Sequence, residues 1–99
     1  SQKLKLLLHE VRKVFGSDSQ IQIGAAGTSL ALTLSSPADG AELKKQARTR
    51  GLRLQILKEE PGFVTLLLSC SSMPEEDFAP ACHLLSQIMS ELSSSAPKA

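Results

Sequence analysis

Apolar residues recur at helical spacing at Leu4, Leu7, Leu8, Val11 and Phe15, with Lys3, Lys5, His9, Glu10, Arg12 and Lys13 between them. This period predicts a helix over residues 3–15 with one buried stripe, stopped by Gly16 in the left-handed position that follows a last turn. The period then falls to two. Gln20-Ile21-Gln22-Ile23 alternates, and Leu30, Leu32 and Leu34 alternate with Ser29, Ala31 and Thr33, so two half-buried strands pair as an antiparallel hairpin around Gly24-Ala25-Ala26-Gly27.

Ser36-Pro37-Ala38-Asp39 has the form of a helix start, with a capping hydroxyl, proline at the first helical position and a carboxylate at the third. The helix is expected to reach Arg50, with Ala38, Ala41, Leu43 and Ala47 facing inward and Gly51 as its stop. Gly40 near its start costs up to ~1 kcal/mol relative to alanine. Leu52, Leu54 and Ile56 alternate with Arg53 and Gln55 as a third strand, and residues 58–62 read as a turn. Phe63-Val64-Thr65-Leu66-Leu67-Leu68 is apolar on both faces, as expected of a central strand covered on both sides. Ser72-Met73-Pro74-Glu75-Glu76-Asp77 is a second helix start. The main helix is expected from Asp77, leaving Pro80 in the first turn, and its stripe is Phe78, Cys82, Leu85, Ile88, Met89 and Leu92. Residues 93–99 are small and polar and are expected to fray.

The predicted order is α-β-β-α-β-β-α. Short connections and the lack of repeats or linkers make residues 1–99 one α+β domain, with an ordered core over 3–92 and a two-layer build around an antiparallel or mixed four-stranded sheet. Ninety-nine residues suffice for one core without staples. The core is aliphatic, because Phe15, Phe63 and Phe78 are the only aromatic residues. That scarcity also argues against nucleic-acid binding by base stacking. Charge adds little, with 11 Lys+Arg against 10 Asp+Glu. No signal peptide or membrane-spanning run is seen, and Cys70 and Cys82 suit neither a disulfide framework nor a metal site, so a reduced, cytoplasmic protein is expected.

Candidate chemistry is thin. Gly24 to Gly27 has the GxxG spacing of a phosphate-clamping loop, but that loop joins helices and here the flanks read as strands. His9 lies off its helix's buried stripe, and His83 is adjacent to that of the last helix; neither is assigned a role. Cys70 has no base nearby in sequence, and Glu75, Glu76 and Asp77 are explained by a helix N-terminus. No catalytic, cofactor-binding or metal-binding residue is assigned. Lys44, Lys45, Arg48, Arg50 and Arg53 form the one surface suited to an anionic partner, although such cations also complement the negative end of a helix.

The span from Lys3 to Leu92 resembles the C-terminal small domain of fold-type I, PLP-dependent aminotransferases, above all that of the MocR-type (GntR-family) transcriptional regulators. Four motifs carry the resemblance in order. They are the Gly24-Ala25-Ala26-Gly27 loop with the strand after it, the proline-acid helix start, Ala47-Arg48-Thr49-Arg50-Gly51-Leu52-Arg53-Leu54, and the apolar strand from Phe63 leading to Pro74-Glu75-Glu76-Asp77. The resemblance implies a domain that closes over a cofactor site built in a larger polypeptide, non-catalytic alone, with PLP held by the absent large domain. It also implies an arginine, for a substrate carboxylate, at the place where this chain has Leu67. The expected partner is then the remainder of a larger polypeptide or a second subunit, without direct nucleic-acid contact. A different class also fits the residues: a self-contained interaction module of the kinase-associated type, whose basic helix faces a protein partner or an anionic membrane.

Overall fold

The computed structural model describes residues 2–16, 20–36, 39–71 and 73–95. Its elements run α1 (Gln2–Phe15), β1 (Gln20–Ile23), β2 (Ser29–Ser35), α2 (Gly40–Thr49), β3 (Gln55–Glu60), β4 (Phe63–Ser69), a 3₁₀ turn (Glu75–Asp77) and α3 (Phe78–Ser95). The α-β-β-α-β-β-α order of a small α+β domain is therefore present. The sheet is antiparallel throughout, in the order β1-β2-β4-β3.

The β2–β4 ladder runs from Ser29↔Ser69 to Ser35↔Phe63 and occupies the centre of the sheet. Its alternation sends Leu30, Leu32, Val64 and Leu66 to one face, where all are buried. Two adjoining clusters form there. Leu4, Leu7 and Val11 of α1 meet Leu30, Leu32, Phe78 and Cys82, while Leu43 and Ala47 of α2 meet Val64, Leu66, Leu85 and Ile88; Phe15 and Leu34 border both. Helix α3 spans the two, which is why its Phe78-Cys82-Leu85-Ile88 stripe is continuous.

Among the described residues the opposite sheet face carries no helix. Pairing places Gln22, Ala31, Leu67 and Gln55 in one row across it and Thr33 beside Thr65 in the next, with a hydroxyl–hydroxyl hydrogen bond of 2.9 Å between the threonines. The expectation that β4 is covered on both sides is corrected: among the described residues it is covered on one, and Phe63 stays 51% exposed while Phe78 is 1% exposed.

Three boundaries also differ from the sequence reading. Helix α2 begins at Gly40, with Asp39 as N-cap accepting from the Glu42 N–H at 2.8 Å. Ser36 lies three residues before that cap, its N–H donating to the Gly62 carbonyl at 2.9 Å in line with the β2–β4 ladder. Pro37 and Ala38, given roles in that start, lie outside the described residues, as does the hydroxyl of Ser72; Ala41, expected inward, is exposed. Strand β3 is displaced towards Lys58, Glu59 and Glu60, where a turn was expected. Those charges are tolerated because β3 is an edge strand, and the reversal is confined to Pro61-Gly62, with Gly62 at φ +83° as a tight proline-glycine turn requires. Finally, α3 begins one residue after Asp77 and continues to Ser95, so residues 93–95 are helical; residues 96–99 lie outside the described residues.

Gly40 does more than weaken a helix. A Cβ there would stand 2.8 Å from Ile56 Cδ1, and its N–H donates to Glu59 Oε1 at 2.5 Å, so α2 is seated directly against β3.

One-sided burial makes a direct prediction. Phe78→Ala should destabilise the fold by about 3–5 kcal/mol, as large-to-small changes in a closed core do, whereas Phe63→Ala should change it by less than about 1 kcal/mol. Urea unfolding of both variants checks this; equal losses would mean that the outer face is packed as well.

Candidate functional site

All five cations singled out from the sequence are exposed. Lys44, Lys45 and Arg48 are exposed along α2. Arg50 is the C-cap residue; its backbone N–H donates to the Ala47 carbonyl and that of Gly51 to the Arg48 carbonyl, both at 3.0 Å. Its guanidinium is engaged by both oxygens of Glu91 on α3, with Nη1 donating to Oε2 at 3.0 Å and Nη2 to Oε1. That hydrogen bonding raises the Arg50 pKa and lowers that of Glu91. The pair is open to water, so it orients the end of α2 against α3 more than it stabilises the fold. No local sequence pattern announces it, since the partners are 41 positions apart.

Arg53 is exposed in the segment between α2 and β3, and it lines a cleft there. Regular β3–β4 pairing ends at Gln55↔Leu67. Leu52, Arg53 and Leu54 therefore run beside the end of β4 without laddering to it, and the gap is closed below by Phe78 and Cys82. The resulting cleft has a volume of about 50 Å³ and a mainly apolar wall that includes Leu67. It has room for a few waters and falls far short of the ~300–1,000 Å³ of ordinary small-molecule pockets. Among the described residues Arg53 is the one cation on its lining.

The cysteines are core residues. Cys70 is buried and its Sγ donates to the Thr28 carbonyl at 3.1 Å, beside the 3.0 Å bond from its N–H to the same oxygen. Burial, with a smaller contribution from the Glu10 carboxylate, pushes the Cys82 thiol up to about 11. A thiol so held is a poor nucleophile at neutral pH. Glu10 Oε2 is itself buried without a hydrogen-bond partner among the described residues.

His9 and His83 are exposed and lie on different helices, α1 and α3. Glu75, Glu76 and Asp77 are exposed on the 3₁₀ turn, whose N-cap position is Pro74. Gly24 and Gly27 close the β1–β2 hairpin through a 3.0 Å bond from the Gly27 N–H to the Gly24 carbonyl, so the GxxG spacing here belongs to a strand connection. Among the described residues no group of three or more His, Cys, Asp or Glu is placed to hold a metal ion, and no helix is long and apolar enough to cross a membrane. No protein-family model matches the chain, and no curated protein matches it.

The Cys82 thiol has a readable pH signature. The unfolded thiol ionises near its ordinary ~8.5, while the folded one keeps its proton up to about 11. Between these values the unfolded state loses the proton first, so the contribution is intact below the unfolded pKa and is lost as pH rises through the folded pKa. The melting temperature should therefore fall between those two pH values, and the fall should be shallower in Cys82→Ala. No tyrosine titrates in the same range. An identical slope in the variant would contradict the assignment.

Proposed function

We propose that this chain is the C-terminal small domain of a PLP-dependent aminotransferase-like protein or of a transcriptional regulator built on that fold, acting in the cytoplasm and non-catalytic by itself. The observation that carries this reading is the one-sided sheet. The α-β-β-α-β-β-α order puts all three helices on one face, and leaves the row through Ala31 and Leu67, with Phe63 beside it, open for a second body. The four ordered sequence motifs lie on this frame: the hairpin loop, the start of α2, the path from α2 towards β3, and the passage from β4 to α3.

The residues of this chain do not fit the cofactor. Among the described residues the cleft beside Leu67 is lined by no lysine for a Schiff base, and its single cation is Arg53. PLP would be held by another part of a longer polypeptide, and no chemical step is derived for this domain. Leu67, where the family has a carboxylate-binding arginine, offers only an apolar contact, so the usual amino-acid substrate would lose that grip.

The encoding reading frame tests this directly. A lysine-bearing large domain N-terminal to Ser1 supports it, and a frame that encodes this domain alone contradicts it. Independently, the 99-residue chain mixed with PLP and desalted should retain no visible cofactor absorbance; retained colour would oppose the reading.

A second reading draws on Lys44, Lys45 and Arg48, which are exposed together on α2. They would face an anionic membrane or acidic partner in a self-contained interaction module. Salt-sensitive co-sedimentation with phosphatidylserine vesicles, abolished by charge reversal at the three positions, would favour it; no binding by the unmodified chain would end it.

A further inference from the structure

The two edges of the sheet are built differently. Edge strand β3 carries a bulge between Ile56 and Lys58 and the exposed charges Lys58, Glu59 and Glu60, which are the usual guards against unwanted strand pairing. Edge strand β1, Gln20–Ile23, has no charge, no proline and no bulge. Its Ile23 side chain is 45% exposed.

The ladder also fixes which backbone groups β1 presents. The Gly24 N–H donates to the Ser29 carbonyl at 2.9 Å, in line with the register Gln22↔Ala31 and Gln20↔Thr33. Hydrogen-bonded pairs alternate along antiparallel strands, so Gln20 and Gln22 bond to β2 while Ile21 and Ile23 turn their N–H and C=O groups away from it, towards the open edge.

We propose that β1 is a pairing edge for a second copy of this chain, joined antiparallel about a twofold axis at Gln22, with Ile21 opposite Ile23 of the second copy. This register uses all four outward backbone groups of each copy. A twofold axis normal to the sheet keeps the helix-bearing faces on the same side, so the isoleucines of both copies form one apolar row there and Gln22 meets its own equivalent on the other face. The absence of charge in β1 makes this self-pairing free of like-charge opposition. The same operation on β3 would bring its acidic residues towards their own copies. The inference goes beyond the cofactor-domain reading and does not rest on it. Such an edge is short, so the association is weak and is sought at high protein concentration.

Sedimentation of the 99-residue chain up to about 1 mM, the weak end of specific association, should show its mass rising towards a dimer. Ile23→Pro removes an outward N–H without touching the β1–β2 ladder, and Ile23→Lys keeps the backbone but puts a charge into the apolar row; both should remain monomeric. For the register, Gln22→Cys should form an intermolecular disulfide with oxidised glutathione as the oxidant, since a non-hydrogen-bonded pair sets Cα atoms about 4.5 Å apart, within disulfide reach. Gln20→Cys, which would face Gly24 of the second copy, should not. A chain that stays monomeric throughout the series overturns the proposal and leaves the edge to some other strand. So do folded Ile23 variants that dimerise as the unmodified chain does, and so does cross-linking through Gln20→Cys in place of Gln22→Cys.

Discussion

Leu30, Leu32, Val64 and Leu66 stand side by side on one face of the β2–β4 ladder, almost wholly removed from water, and the three helices find their places by covering them. Burying each such side chain contributes about 1.5–3 kcal/mol, so the row is the largest concentrated source of stability in a domain of this size. The arrangement depends on register. A slip of one residue in either strand would carry its leucines to the open face and Thr33 or Thr65 into the core. The Thr33–Thr65 hydrogen bond on the far side is a second marker of the same alignment.

What surrounds that row follows from it. Helix α1 and the start of α3 close one end, α2 and the rest of α3 the other, and Arg50 with Glu91 ties the last turn of α2 to its neighbour. Seating α2 close enough requires Gly40, because Ile56 and Glu59 occupy the space a side chain would need. A residue that lowers helix propensity is thus the one that permits close packing.

Much of this was legible in the chain. The spacing of Leu4, Leu7 and Val11, the alternation of Leu30 and Leu32, and the stops at Gly16 and Gly51, both with positive φ, carry enough local information to be read directly. The start of α2 was misplaced because Ser36 and Asp39 are both competent caps, and the chain at Ser36 continues the line of the β2–β4 ladder through its bond to Gly62. Strand β3 was misplaced because Lys58, Glu59 and Glu60 have turn-like polarity that only their edge position explains. The doubly apolar run in β4 could not reveal which of its faces lacks a helix. The candidate site was less legible still. The Arg50–Glu91 pair and the cleft where Leu52 and Leu54 part from β4 are both products of tertiary placement, whereas the burial of Cys70 and the exposure of His9 were readable from the pattern.

Among the described residues two kinds of surface are left for others, an uncovered sheet face around Leu67 and an unguarded strand edge at β1. Both are consequences of a sheet that buries one face and guards one edge. Native-state hydrogen exchange on the dilute chain tests that polarity most directly. The amides of Leu30, Leu32, Val64 and Leu66 should exchange only with global unfolding, and in β1 the amides of Gln20 and Gln22 should be far better protected than those of Ile21 and Ile23. Equal protection along β1 in the monomer, or early exchange of the β2–β4 amides while the helices stay protected, would contradict the account.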